Sequence, residues 1–190
     1  MDLNKALRGV KLYQEIKDKK LISVSFGVYN GTLRAYINKM SSNLKDQELV
    51  FSFGLTTLNG RLIAEELLTL NDKTDPHETT FILKGPKYVD NQRIYDETVL
   101  TAKVTIKRAL NKQGKLINMI MFTSPTEQVF RFLLMPTPYI EIMVDGKIVK
   151  DEAILTTKIT NAFAKNFEAV LNILPEGLEM ERPKNGKPRY

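Results

Sequence analysis

Tyr29, Arg34 and Tyr36 occupy the polar side of two alternating runs in FGVYNGTLRAYI, residues 26–37, and Lys39 follows just beyond. Aromatic rings and a guanidinium plane, set two residues apart on a strand, can stack on flat ligands, and the guanidinium can also hold a phosphate. A second group of the same types lies in KGPKYVDNQRIY, residues 84–95, with Lys84, Lys87, Tyr88, Arg93 and Tyr95. A third lies in VLTAKVTIKRALNKQGK, residues 99–115, with Lys103, Lys107, Arg108, Lys112 and Lys115 and no acid. Such residues suit a single-stranded nucleic acid: cations hold the phosphates and release counterions. Rings stack the bases at ~1–3 kcal/mol each, with little dependence on base identity. Ser and Thr hydroxyls between them are ready partners for phosphate or base edges.

Catalytic chemistry is sparsely provided. The chain has one histidine, His77, in the polar connection NDKTDPHE, and no cysteine. No nucleophile–base–orienter set can be assembled around it. Asp72, Asp75, His77 and Glu78 are metal-ligand types, but in a polar connection they read first as solvated loop residues. No phosphate loop of the G-x-x-x-x-G-K-[ST] or G-x-G-x-x-G kind is present. Gly85-Pro86 sits between two lysines, but proline removes one backbone donor from any nest there. Glu65 and Glu66 are adjacent on a helix and do not face each other. The expectation is a non-enzyme without metal or cofactor.

The charge balance agrees with an anionic partner: 28 Lys+Arg against 22 Asp+Glu, a net +6. The charge is also clustered. Residues 182–190, RPKNGKPRY, add four basic residues and no acid, while residues 62–80 lean acidic. A hydrophobic content of 43% is that of a folded chain. No apolar run approaches the ~18 residues of a membrane span, and the N-terminus lacks the apolar core of a signal peptide. The expected location is the cytoplasm.

These residues need elements to position them. Leu3, Leu7, Val10 and Tyr13 recur at helical spacing and predict a short N-terminal helix over 3–17. Residues 21–29 and 32–38 alternate, with Ile22, Val24, Phe26, Val28, Leu33, Ala35 and Ile37 on one face, and Asn30-Gly31 predicts a two-residue hairpin between them. ELVFSFGL is a third strand. TTLNGRLIAEELLTL reads as a helix burying Leu58, Leu62 and the Leu67/Leu68/Leu70 group, with Gly60 costing about 1 kcal/mol against alanine. TTFILKGPKYV starts as a strand and breaks at Gly85-Pro86. Residues 99–109, LINMIMFTS and QVFRFLLM are strands, and YIEIMVDGKIVKD is a hairpin at Asp145-Gly146. Asp151 caps a helix over 151–174 with a stripe of Leu155, Ile159, Phe163, Phe167, Val170, Leu171 and Leu174. Two strand meanders, each followed by a helix, predict an α+β fold with antiparallel sheets. The expected organisation is one domain over 1–177 and a basic flexible tail over 178–190.

VYNGTLRAYI resembles the strand–turn–strand of the Whirly family of single-stranded-DNA-binding proteins, with Val28, Tyr29, Gly31, Leu33 and Ala35 matching and Asn30 and Thr32 standing where the family has lysines. AFAKNFEAVLNILPE resembles that family's closing helix. The resemblance implies a fold shared in outline with positive-cofactor coactivators and mitochondrial guide-RNA-binding proteins. It further implies a homo-oligomer, often a tetramer, that binds single strands with little sequence preference. The chain also resembles, in general style, DNA-binding accessory proteins of bacterial viruses, which work in replication or transcription beside a polymerase in the host cytoplasm. The expected binding residues are Tyr29, Arg34, Tyr36, Lys39, Lys84, Lys87, Tyr88, Arg93, Lys103, Lys107 and Arg108. RNA as the ligand, and a structural or assembly subunit that docks a protein partner, stay open as alternatives.

Overall fold

The structure, a computed structural model, describes residues 10–15, 21–29, 32–40, 47–90, 92–136 and 141–173. Four strands come first: β1 (Lys11–Glu15), β2 (Leu21–Tyr29), β3 (Thr32–Met40) and β4 (Gln47–Leu55). They form one antiparallel sheet in chain order, sheet A. Helix α1 (Thr57–Thr69) follows and tightens into a short 3-10 turn, Leu70–Asp72. Strands β5 (His77–Val89), β6 (Gln92–Leu110), β7 (Leu116–Thr123) and β8 (Val129–Leu133) form sheet B, again antiparallel and in chain order. A small hairpin, β9 (Met143–Val144) and β10 (Lys147–Ile148), leads into helix α2 (Glu152–Ile173). The fold is α+β: each half sets a four-stranded antiparallel sheet before a helix, with the β9–β10 hairpin added in the second.

Turn chemistry sets the connections. Tyr29 pairs with Thr32, which leaves Asn30-Gly31, outside the described residues, as the whole link between β2 and β3. Asp145 and Gly146 have φ of 49° and 75°, the double positive φ that a two-residue hairpin of matching twist requires. Between β6 and β7, the Asn111 amide oxygen accepts from the N–H groups of Gln113 and Lys115, at 2.9 Å each.

Three expectations are corrected. Residues 11–15 are a strand, and the rest of the expected N-terminal helix, residues 3–9 and 16–17, lies outside the described residues. Val10 and Leu12 are buried while Lys11 and Tyr13 are exposed, so the two-residue alternation prevails once β2 is available as a partner. Strand β5 does not break at Gly85-Pro86. It is an edge strand, the position in a sheet where proline is tolerated. Register shifts between Leu83 and Lys84 and between Pro86 and Lys87 absorb the irregularity. Its partner β6 begins at Gln92, well before residue 99. The stripe of α1 is also rotated: Gly60, Ile63, Ala64 and Leu67 are buried, while Leu58 and Leu62 are 66% and 43% exposed.

That rotation follows from helix packing. A methyl group at Gly60 would lie 2.7 Å from Leu171 Cδ2, so Gly60 is the point where α1 closes on α2. The core between the sheets is aromatic. Phe51 and Phe53 of β4 stack at 5.4 Å, and reach Phe130 of β8 at 6.0 Å and Phe122 of β7 at 5.8 Å. Phe167 of α2 meets Phe26 of β2 at 4.8 Å. Burying each such ring contributes about 2–3 kcal/mol.

Two outcomes follow. Gly60→Ala should lower the urea midpoint, although alanine is the better helix former by about 1 kcal/mol, because overpacking a fully buried Leu171 costs ~1–3 kcal/mol. Asp151 caps α2 by accepting from Ala153 N–H at 2.9 Å, and its carboxylate also accepts from Lys115 Nζ at 2.9 Å. The Lys115 hydrogen bond, then the Ala153 N–H, hold its carboxyl below the usual carboxylate value. A depressed pKa gives stability that is present at neutral pH and lost as pH falls through the folded value. Asp151→Ala should therefore lower the Tm at pH 7, and the deficit should shrink on acidification below the usual carboxylate range.

Candidate nucleic-acid interface

Each sheet turns one face to the core, and the opposite faces are built very differently. On the outer face of sheet A, register places side chains in cross-strand rows about 6.6 Å apart. One row is Tyr13, Ser23, Asn38 and Leu49; the next is Lys11, Ser25, Tyr36 and Ser52; the next is Gly27, Arg34 and Gly54; then comes Thr32. Small residues flank each large one. Tyr13 is 44% exposed, and Tyr36 and Arg34 are partly exposed. Arg34 Nη2 donates to Ser52 Oγ at 3.2 Å, which holds the guanidinium against β4. Among the described side chains of these rows there is no acid. These described rows can stack flat groups and attract anions.

The outer face of sheet B carries its own counter-charges. Its rows are Glu78, Lys107, Met119 and Leu133; Thr80, Thr105, Met121 and Arg131; Ile82, Lys103, Thr123 and Val129. Lys107 Nζ lies 2.5 Å from Glu78 Oε2, and Lys103 Nζ lies 3.1 Å from Glu127 Oε1. Met119, Met121, Val129 and Leu133 line a groove of about 760 Å³ with Lys107 and Arg131 beside it. This is an apolar surface edged by paired lysines and by Arg131.

The eleven expected residues are therefore dispersed. Arg34 and Tyr36 share the outer face of sheet A. Tyr29 ends β2 opposite Thr32, and its side chain lies outside the described set. Lys39 is exposed, but strand alternation puts it on the other side of β3 from Tyr36. Lys84, Lys87, Tyr88 and Arg93 lie along a two-stranded ribbon, where β5 and β6 continue past the last β6–β7 pair, Lys103 with Thr123. Lys87 Nζ is 2.6 Å from Glu97 Oε2. Lys103 and Lys107 are on sheet B, with the core between them and Tyr36.

Arg108 is a correction. It follows Lys107 and so points to the core, where it is 8% exposed. Its Nη1 donates to Asn118 Oδ1 at 2.8 Å and to Asn71 Oδ1 at 3.3 Å. Burial lowers its pKa from the ordinary arginine value. Asn118 in turn donates to Thr160 Oγ1 at 2.9 Å and to Asn71 Oδ1 at 2.7 Å. This guanidinium is part of the core's wiring and is not presented on either outer face.

Lys11 and Tyr13 were missed on sheet A because their segment was read as helical. The signal that would have found them is the alternation Val10, Leu12 against Lys11, Tyr13. His77 is held by Glu66 Oε1 and Thr79 Oγ1, each at 3.1 Å, and serves to fasten β5 to α1. Among the described residues, no three or more His, Asp or Glu side chains gather as metal ligands. No helix among them is long and apolar enough to cross a membrane.

No family model matches this chain, and no curated protein matches it significantly.

Arg108→Ala should cost about 2–3 kcal/mol, because it leaves the fully buried Asn118 amide oxygen without its donor. Urea unfolding measures the loss.

Proposed function

We propose that this protein binds single-stranded nucleic acid, DNA in the first place, on the outer face of sheet A. The observation that carries the reading is the acid-free set of Tyr36, Arg34, Tyr13 and Lys11 among small residues on one sheet face. Tyr36, Tyr13 and the Arg34 plane stack bases, and Lys11 and Arg34 draw the phosphates. The contacts read no base edge, so sequence preference is weak. The sheet B lysines, already paired, contribute less. The Whirly resemblance of residues 28–37 supports the same function. The role is a non-enzymatic one in replication or transcription, as a homo-oligomer, in the cytoplasm of a cell or a virus-infected host.

One observation favours a second reading, a subunit that docks a protein partner. The outer face of sheet B exposes Met119, Met121, Val129 and Leu133 in one groove, with its lysines neutralised. The two readings use different faces.

Fluorescence anisotropy with a labelled oligo-dT at two salt concentrations tests the first. Binding should weaken as salt rises. Tyr36→Ala should weaken binding about tenfold at both salts, the loss of one stacked base. Lys11→Ala should mainly flatten the salt slope, and Lys103→Ala should change little. Absence of binding at low salt would sink the nucleic-acid reading.

A further inference from the structure

Two apolar features of this chain have no part in the sheet A surface. The first is the β5–β6 ribbon. Past the Lys103–Thr123 pair no third described strand accompanies it, and it runs on for roughly 20 Å to Val89 and Gln92. A two-stranded ribbon is marginal in water unless something covers it. Tyr88 and Val89, near its tip, are 53% and 47% exposed. Its charges balance, with Lys84, Lys87 and Arg93 against Asp90, Asp96 and Glu97, which does not suit it to a polyanion. The second feature is the groove of about 760 Å³ on sheet B, where Val129 and Leu133 are exposed and Met119 and Met121 half-buried. Each feature also carries an unpaired charge. Among the described residues, no cation pairs with Asp90 on the ribbon and no acid pairs with Arg131 at the groove.

We infer that the two features meet between two copies of this chain: the ribbon tip of each protomer seats Tyr88 and Val89 in the sheet B groove of its partner, with Asp90 against the partner's Arg131. The inference rests on the reading of the protein as a homo-oligomer and assigns its contact. An exposed ring and a branched side chain match an apolar concavity, and the two unpaired charges are opposite in sign. Lys107 and Lys103 are already held by Glu78 and Glu127, which leaves Arg131 to fix the ribbon's position. A twofold axis closes the pair, because each ribbon then finds a groove and each groove a ribbon. Tyr88 is the anchor of the contact, since a tyrosine desolvated in a pocket is the usual centre of such an interface. The contact uses none of the outer rows of sheet A.

Sedimentation equilibrium of the full chain tests this. The parent protein should dimerise reversibly. Tyr88→Ala should raise the dimer Kd about tenfold, with an unchanged Tm because the side chain is exposed in the single chain. Asp90 has a φ of 50°, a conformation that asparagine also accepts, so Asp90→Asn removes the charge alone. Asp90→Asn and Arg131→Gln should each raise the Kd about threefold to fivefold. The double variant should be no weaker than either single one, the mark of a shared interaction. If the parent protein stays monomeric, the homo-oligomer reading fails together with this contact. If it dimerises, and Tyr88→Ala leaves the Kd unchanged or the two charge variants act additively, the ribbon–groove contact is overturned and the homo-oligomer reading stands.

Discussion

Asn118 is fully buried, and every polar group on it is engaged. Its backbone N–H donates to Thr156 Oγ1 of α2, and its carbonyl accepts from Leu134 N–H beyond β8. Its amide takes Arg108 from β6, Asn71 from the turn after α1, and Thr160 from α2. Asn71 extends the web to Thr157 O and Asn161 Oδ1. Sheet B and both helical segments thus meet at one polar point within an apolar core. Buried polar groups are tolerated only when partnered, and a wrong helix register would leave several of these unpartnered at once. The cluster thus sets how α1 and α2 lie on sheet B. Through the Phe26–Phe167 contact, it also sets where sheet A sits. Among the buried side-chain polar atoms of the described residues, the Arg108 Nε lacks a partner.

The placement of carboxylates separates the two outer faces. Each face bears cations, and by composition alone they look equivalent. On sheet B the two lysines have acids in reach, Lys107 at Glu78 across the strand and Lys103 at Glu127 in the next turn, and Arg131 stands beside them. Exposed pairs of this kind contribute little stability, about 0–1 kcal/mol. They do lower the potential that an incoming phosphate meets. On sheet A the described rows from Tyr13 to Thr32 contain no acid. The same chain thus presents one face suited to a charged, flat ligand and another suited to an apolar one.

Much of the architecture was legible in local pattern. The Asn30-Gly31 and Asp145-Gly146 links, the alternation of β2 and β3, the Asp151 cap and the closing helix all follow from short-range chemistry. The failures have a common form. Leu3, Leu7, Val10 and Tyr13 fit a helix on spacing, yet Val10 and Leu12 are buried in a strand because β2 offers a ladder. Leu58 and Leu62 look like a core stripe, but Gly60 is the residue that lets α2 approach. Gly85-Pro86 looks like a break, yet an edge position tolerates it. Each time a long-range partner prevailed over a local preference.

The candidate site divides in the same way. The sequence by itself determined that Arg34 and Tyr36 share a face of β3, since alternation in a strand is a local property. It determined also that the chain is basic and that its cations cluster. Only the tertiary structure decided which clusters belong together. It brought Lys11 and Tyr13 beside Tyr36, put Lys103 and Lys107 on another sheet beside Glu127 and Glu78, and buried Arg108. Strand pairing joins residues far apart in the chain, and ion pairing depends on that pairing. Neither can be read from spacing along a single strand.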